Sequence, residues 1–340
     1  MSGDPVLVEV LRGGILESRH RGAYAVMDAD GRLVAGAGDL ERPRFPRSAM
    51  KILQALPLVE SGAADAFACT PVELAMACAS HNGEPFHVEA AAGLLARLGL
   101  GESDLACGPQ KPSFGPAARA LAAAGEAPCR LHNNCSGKHA GFLTLARHFG
   151  APTRGYERRE HPVQQAVFET VAAMAGTTPD MPHGIDGCAA PNPVMPLSAL
   201  ALAMARLAAP DGLSPVRARA AARLRRAMAD HPDHVAGTGR ACTRLMRACR
   251  PGTVVKTGAE GVFTAIAPDL GLGFACKIDD GATRASTVLI AALLDHHGLI
   301  REEARRDVAD LIETPLTNWN GTAIGLVRMA ADWARRPTTP

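Results

Sequence analysis

Residues 5–38, PVLVEVLRGGILESRHRGAYAVMDADGRLVAGAG, decide the fold class because apolar and polar residues alternate along them in three runs. Alternation with a period of two is typical of a half-buried β-strand. The Asp30-Gly31 pair between two of these runs is a favoured hairpin turn. The sequence therefore predicts an antiparallel sheet at the start of the chain.

The same alternation returns near the other end of the chain. TVVKTGA at residues 253–259, GVFTAIAP at 261–268 and LGLGFACKID at 270–279 indicate three more antiparallel strands, and residues 283–298 predict an apolar helix. A strand pattern at both ends predicts one sheet built from both ends of the chain. The helix that follows would cover this sheet, and another helix is predicted near residues 301–313.

Between the two strand regions the pattern is almost wholly helical. Residues 70–73, Thr-Pro-Val-Glu, are a capping-box helix start with proline at the first helical position. Further helices are predicted over residues 87–99, 116–124, 137–148, 161–175, 198–208, 214–230 and 239–249, and residues 177–197 are a long irregular stretch. We therefore expect an α+β protein with a sheet domain (1–60 and 250–340), an inserted helical domain (61–249) and an active site at their junction.

Composition excludes several classes of function. The 340 residues carry 36 basic and 34 acidic side chains, interspersed along the chain, so the dense basic stripe of a nucleic-acid binder is missing. No apolar run approaches the roughly 20 residues that span a bilayer, and the first residues do not resemble a secretory signal. Nine cysteines, an odd number spread over the chain, do not form a secreted disulfide pattern. We expect a cytoplasmic globular enzyme with neither nucleic-acid nor membrane partners.

Three short motifs carry hydroxyl and amine groups. Ser48-x-x-Lys51 begins the first predicted helix, Ser80-His81-Asn82 ends the capped helix, and Lys256-Thr257-Gly258 lies on a predicted strand. Each motif alone is more often an ordinary helix terminus or an edge-strand lysine. In this order, however, the three match the motif set of serine β-lactamases and penicillin-binding proteins. They therefore indicate acyl transfer through a serine ester.

Two cysteines lie in polar, glycine-rich segments, HNNCSGKH at 132–139 and DGC at 186–188. Structural cysteines usually lie in apolar runs, as Cys78 does. Cys135 and Cys188 are therefore candidate ligands of a borderline-soft ion such as zinc, and Asp186 could orient a ligand. The spacing alone leaves a packing role for both thiols open.

Five longer segments together resemble the rhizobial-type (class 3) L-asparaginases, which are similar in fold to serine β-lactamases, penicillin-binding proteins and glutaminases. The segments are PRSAMK (46–51), CASHNGE (78–84), HNNCSGKHAGF (132–142), DGCAAPNP (186–193) and KTGAEGVF (256–263). This resemblance implies hydrolysis of L-asparagine to L-aspartate and ammonia by a homodimer. It also implies two Ser-Lys tandems, Ser48 with Lys51 and Ser80 with Lys256, and a zinc ion held by Cys135, Lys138 and Cys188.

We expect Ser48 to be the nucleophile and Lys51 its base, with Ser80 as the alternative nucleophile. Arg47 is the candidate for binding the substrate α-carboxylate, because a guanidinium binds carboxylates through two hydrogen bonds. His81 and Asn82 are further candidates for substrate contact, and the zinc would aid substrate binding more than catalysis. Two alternatives stay open: a glutaminase or another serine hydrolase of the same fold, and a non-catalytic amino-acid or zinc sensor.

Overall fold

The computed structural model describes residues 3–331 and Trp333. Its strands, in chain order, are β1 Val6–Arg12, β2 Ile15–Asp28, β3 Leu33–Ala37, β4 His183–Ile185, β5 Pro191–Pro193, β6 Val254–Thr257, β7 Val262–Ala267, β8 Leu272–Ile278, β9 Thr314–Thr317 and β10 Ala323–Met329. Its α-helices are α1 Lys51–Glu60, α2 Ala63–Ala66, α3 Pro71–Ala77, α4 Pro85–Arg97, α5 Gly115–Ala123, α6 Ser136–His148, α7 Pro162–Ala175, α8 Leu197–Ala208, α9 Pro215–Asp230, α10 Pro232–Val235, α11 Ala241–Ala248, α12 Thr283–His296 and α13 Ala309–Ile312. The expected α+β class is confirmed.

The chain divides into two compact units. The first contains the chain up to Ala49, Met195–Ala209 and the chain from Arg244 onward; the second contains Met50–Val194 and Pro210–Thr243. These boundaries differ from the expected ones at two helices. Helix α1 belongs to the helical unit because it packs on α6, α7 and α9, and α8 belongs to the sheet unit because it packs on β2, β7 and β8.

The sheet unit is built from both ends of the chain, as the strand pattern predicts. Its strands follow the order β6-β7-β8-β2-β1-β10-β9, with β3 also paired to β2, and neighbouring strands are antiparallel. Helices α8 and α12 pack on the sheet. A side chain at Gly273 of β8 would collide with the backbone of Ala201 and Ala205 in α8, so this glycine permits the close contact of helix and strand.

In the helical unit, two glycines of α6 set the distance to α3. A Cβ atom at Gly137 would collide with the Met76 carbonyl oxygen, and one at Gly141 would lie 3.2 Å from Ala77 Cβ. The two helices therefore pack backbone to backbone. As a result, the start of α6, which carries Cys135 and Lys138, lies beside the residues that follow α3, including Ser80.

Three local expectations were wrong. Strands β9 and β10 were not expected, and β10 pairs with β1. Residues 177–197 contain the β4–β5 hairpin, with His183 opposite Pro193, instead of being irregular throughout. Residues 302–308 form a 3₁₀ helix before the short α13, not one α-helix over 301–313. Within residues 3–331, no helix combines the length and the apolar character that crossing a bilayer requires.

Candidate active site and metal site

Ser48 lies in a 3₁₀ turn, Arg47–Met50, that packs against strand β6 of the sheet unit. The Thr264 hydroxyl on β7 lies 3.0 Å from the Ala49 carbonyl oxygen and 3.4 Å from that of Lys256. A Cβ atom at Gly258 would lie 2.9 Å from Pro46 O and 3.1 Å from Ala49 N. The glycine of the Lys-Thr-Gly motif therefore permits close approach of β6 to the turn that carries Ser48.

Lys256 and Arg47 occupy different surroundings in the same unit. Lys256 is buried, and its Nζ donates a hydrogen bond to Thr257 O at 2.8 Å. Arg47 is half-buried, adopts a positive φ of 51°, and lines a cleft of about 290 Å³. The other residues lining the cleft are Arg42, Pro43, Arg44, Phe45, Glu260, Lys277 and Asp279. Arg47 therefore lies at a partly open surface, one residue before Ser48.

Lys51 lies at the centre of a polar cluster in the helical unit. Its side chain, 1% exposed, places Nζ 2.9 Å from Ser80 Oγ and 3.1 Å from Cys135 Sγ, and it also donates to the Ala79 carbonyl oxygen. Three polar groups therefore surround the Lys51 Nζ atom. The structure therefore brings Lys51 and Ser80 together, whereas the tandems implied by the sequence resemblance pair Lys51 with Ser48 and Ser80 with Lys256.

The local backbone holds Ser80 and Cys135 in place beside Lys51. Ser80 follows α3, and its N–H donates to Val235 O at 2.9 Å. Cys135 precedes α6; its N–H donates to Asn133 Oδ1 at 2.9 Å, and its Sγ lies 3.0 Å from Asn134 Oδ1. The two asparagines of the HNNCSGKHAGF segment thus orient the thiol that follows them.

Cys188 and Lys138 complete a buried cluster of two sulfurs and an amine. Lys138 Nζ donates to Cys188 Sγ at 3.1 Å, and the two thiol groups of Cys135 and Cys188 hydrogen-bond each other. The hydrogen bond from Cys135 lowers the pKa of Cys188, burial opposes this, and the Lys138 charge adds to the lowering. The same hydrogen bond, together with burial, raises the pKa of Cys135. Of the two thiols, Cys188 is therefore the one that loses its proton more readily.

The two cysteines also shift the pKa of Lys138. Burial disfavours the ammonium form of Lys138, but the charges of Cys188 and Cys135 outweigh burial and raise the pKa of Lys138. Within residues 3–331 and Trp333, no group of three or more His, Cys, Asp or Glu side chains is arranged to hold a metal ion. Cys135, Lys138 and Cys188 instead offer two cysteine sulfurs and one lysine nitrogen, a donor set that, once deprotonated, fits a borderline-soft ion such as zinc.

His81 and Asn82, the two remaining candidates for substrate contact, differ in their hydrogen-bond partners. His81 is buried; its Nε2 lies 2.9 Å from Ser136 Oγ, and its Nδ1 accepts from Gly83 N at 3.2 Å. Burial lowers the pKa of His81, so the ring is neutral. Asn82 is also buried, but its Oδ1 has no hydrogen-bond partner among the described residues. Asn82 Oδ1 is therefore a buried acceptor packed against Gly237, whereas protein groups occupy both ring nitrogens of His81.

Sequence reasoning missed two residues of these clusters. Thr264, which joins the Ser48 turn to the Lys256 strand, is an inconspicuous threonine in an apolar run. Tyr156, whose hydroxyl lies 2.7 Å from His139 Nδ1, lies in a loop far from any motif. Of the Tyr156–His139 pair, His139 lies inside a recognised motif, the HNNCSGKHAGF segment, and Tyr156 does not.

A comparison with protein-family models identifies the family. The model described as L-asparaginase II matches residues 8–329, nearly the whole chain. The chain belongs to this family. The L-asparaginase II family is the rhizobial type that the five segments resemble, and its members are hydrolases that act on amides. The family therefore supports an asparaginase or another serine hydrolase.

Solved structures similar to this L-asparaginase II family member include β-lactamases. One from Mycobacterium bovis is 16% identical, with 82% of this chain and 95% of that chain covered and a TM-score of 0.41. One from Burkholderia ambifaria is 17% identical, with 82% and 94% covered and a TM-score of 0.38. A mutant simvastatin synthase from Aspergillus terreus is 13% identical, with 76% and 86% covered and a TM-score of 0.40. Among curated proteins, no sequence matches the chain.

Proposed function

We propose that this protein hydrolyses L-asparagine to L-aspartate and ammonia through a serine ester. The observation that carries the proposal is the buried Lys51 amine, 2.9 Å from the Ser80 hydroxyl, in a member of an amide-hydrolase family. A serine hydroxyl is a weak nucleophile unless a neighbouring base takes its proton, and a buried lysine is such a base once it is neutral. A buried lysine beside a serine therefore supports acyl transfer.

The first half of the reaction forms an ester. Ser48, deprotonated by Lys51, attacks the side-chain amide carbon of asparagine, and the C–N bond of the amide then breaks. The backbone N–H groups of Ser48 and of Ala259, the residue after Gly258, are the proposed oxyanion donors. The leaving amine takes up the proton that Lys51 removed from Ser48, passed on through Ser80, and departs as ammonia, which leaves Lys51 neutral again. Lys256 is the proposed partner of Ser80 in this transfer.

The second half of the reaction uses water. A water molecule that gives its proton to Lys51 attacks the β-aspartyl ester, the ester C–O bond breaks, and Ser48 regains its hydrogen. Lys51 thus serves as base twice and returns the proton each time. Ser80 remains the alternative nucleophile, and its contact with Lys51 favours it in that role.

Substrate recognition falls to charged and polar groups adjacent in sequence to Ser48 and Ser80. Arg47, partly exposed and adjacent to Ser48, would bind the α-carboxylate. Asn82 Oδ1, buried and unpartnered among the described residues, would accept a hydrogen bond from the substrate. His81 would contribute through its hold on Ser136, since both of its ring nitrogens are engaged.

We also propose a zinc site at Cys135, Lys138 and Cys188. When bound, the ion would supply a Lewis-acidic contact that orients the substrate. The chain's contribution is the donor set, in which the pKa of Cys188 is lowered and those of Cys135 and Lys138 are raised, so the last two give up their protons less readily. Metal binding therefore competes with protons and weakens as the pH falls.

The remaining expectations are a homodimer and a cytoplasmic location. All nine cysteines are free in the structure, which supports a reducing compartment. A second candidate activity is glutamine hydrolysis, because one methylene group changes binding by only about 1–3 kcal/mol in an apolar pocket.

Ammonia release from L-asparagine and from L-glutamine tests the proposed function. The assay uses the purified protein with and without a zinc chelator. We expect faster release from asparagine, and a chelator effect mainly on KM. Faster release from glutamine would replace the proposed substrate, and no release from either amide would favour the sensor alternative.

A further inference from the structure

A short hydrogen-bonded chain leads from the backbone to the buried ring of His139. The Ala106 N–H donates to Tyr156 Oη at 2.8 Å, and Tyr156 Oη lies 2.7 Å from His139 Nδ1. Tyr156 is 1% exposed and His139 is fully buried, so water does not complete their hydrogen bonding. His139 lies on α6 directly after Lys138.

Counting donors fixes the direction of these hydrogen bonds. The Tyr156 oxygen accepts from Ala106, so its own O–H needs an acceptor, and His139 Nδ1 is the acceptor that the structure offers. Burial raises the pKa of Tyr156, so the phenol keeps its proton. A neutral imidazole that accepts at Nδ1 carries its hydrogen on Nε2. The Tyr156 hydroxyl therefore selects the Nε2–H tautomer of His139.

The His139 Nε2 atom lies at the sulfur cluster. It is buried and makes no well-formed hydrogen bond to a described residue, yet the His139 side chain interacts with Cys188. A buried N–H without an acceptor is destabilising, and the Cys188 sulfur is an acceptor that His139 can reach. A hydrogen bond from His139 Nε2–H to Cys188 Sγ would give this buried nitrogen the acceptor that it needs.

We propose that Tyr156 and His139 form a relay of fixed hydrogen-bond direction that points the His139 Nε2–H at the Cys188 sulfur and so tunes the metal affinity of this site. The inference rests on the zinc site proposed above. His139 acts here as a positioning residue: it holds a sulfur that would bind the metal and does not bind the metal itself. Groups that orient metal ligands in this way typically change metal affinity by roughly 10–100-fold when they are removed.

The competing arrangement makes His139 a metal ligand through Nε2. That arrangement needs the opposite tautomer, with Nδ1–H donating to Tyr156 Oη. The phenol oxygen would then accept two hydrogen bonds, and the buried Tyr156 O–H would lose its acceptor. Donor counting therefore favours the relay.

Binding of Co²⁺ to the purified protein tests the relay. Titration gives the affinity of the site for the ion, and the thiolate-to-metal charge-transfer band in the absorption spectrum reports on the sulfur ligands. Four variants are compared with the unaltered chain. Tyr156→Phe removes the O–H that selects the tautomer, and His139→Leu removes the donor. His139→Gln restores an N–H donor, and Tyr24→Phe is the matched control for loss of a buried phenol in the other unit. Circular dichroism establishes that each variant folds.

We expect Tyr156→Phe and His139→Leu to weaken Co²⁺ binding by roughly 10–100-fold and to shift the charge-transfer band. His139→Gln should retain most of the affinity, and Tyr24→Phe should match the unaltered chain. Full affinity and an unshifted band in His139→Leu would overturn the relay and leave the zinc site standing. Failure of the unaltered chain to bind Co²⁺ would overturn the zinc site, and the relay with it.

A measurement on the unaltered, zinc-loaded protein does not depend on any variant. Histidine ring ¹⁵N spectra distinguish the two tautomers, and His139→Gln identifies the His139 signals. The relay predicts a protonated Nε2 and an unprotonated Nδ1. A protonated Nδ1 with metal-bound Nε2 would make His139 a ligand and overturn the proposal.

Discussion

Lys51 Nζ lies 2.9 Å from Ser80 Oγ, in a side chain that is 1% exposed. The same nitrogen lies 3.1 Å from Cys135 Sγ. One buried amine therefore contacts both a candidate catalytic serine and a candidate metal ligand. Replacing Lys51 by an apolar side chain of similar length should impair proton transfer more than it impairs folding. The reason is that the new side chain can fill the space of the lysine methylene groups.

Replacing Lys51 by methionine should lower kcat by roughly 10²–10⁴-fold, the usual contribution of general acid–base catalysis. Lys111→Met, at an exposed position, is the control and should leave kcat unchanged. Steady-state ammonia release with saturating asparagine measures both. Retention of kcat in Lys51→Met would remove Lys51 from the proton transfers.

Cys135→Ser should raise KM for asparagine more than it lowers kcat. The reason is that the proposed metal orients the substrate, whereas the nucleophile is a serine. Cys242→Ser, at another buried cysteine, controls for the effect of a buried hydroxyl. A large loss of kcat at unchanged KM would contradict this division of roles.

Gly137→Ala should destabilise the protein by about 1–3 kcal/mol, since the new Cβ collides with the Met76 carbonyl oxygen of α3. Gly93→Ala, on an exposed stretch of α4 with nothing near the added Cβ, should instead stabilise the protein by about 0.5–1 kcal/mol. Urea unfolding measures both changes. Equal effects of the two substitutions would mean that α3 and α6 do not pack as closely as described.

The stability of the protein should fall in mild acid partly because of His87. Burial lowers the pKa of His87 to about 4, and the ring accepts from Glu84 N and lies 2.9 Å from Asp233 O. In the unfolded chain the group titrates near pH 6.5, so the unfolded state binds more protons below that pH. The free energy of unfolding should therefore fall by up to about 1.4 kcal/mol per unit as the pH drops from 6.5 towards 4.

His87→Gln tests this contribution, with His148→Gln at an exposed position as its control. Urea unfolding at several pH values should show a shallower loss of stability for His87→Gln than for the control. Identical pH profiles would show that His87 does not drive the acid sensitivity.

Much of the sheet and most helices could be predicted from local pattern. The alternation in residues 5–38 and 253–279 indicated six strands that the structure contains, and the capping box at Thr70 starts α3 as expected. Strands β9 and β10 escaped notice because Pro315 interrupts the first and little of the second is buried, so neither shows a clear period of two.

The residue types within the motifs identified the candidate site residues. They did not indicate which of these side chains contact each other. Polar, glycine-rich surroundings singled out Cys135 and Cys188, which the structure brings into contact. The contact of Lys51 with Ser80 could not be read from spacing, because it depends on how α1 packs against α3 in the folded chain. Tyr156 could not be found either, since a loop residue gains its partner only in the folded chain.

The most direct test of the proposed chemistry is mass spectrometry of the protein quenched in acid during turnover of L-asparagine. The account predicts an added aspartyl group on the peptide that contains Ser48, and no adduct on that peptide in Ser48→Ala. An adduct on Ser80 would move the nucleophile to the alternative serine. Turnover of asparagine with no ester on either serine would contradict the serine-ester mechanism itself.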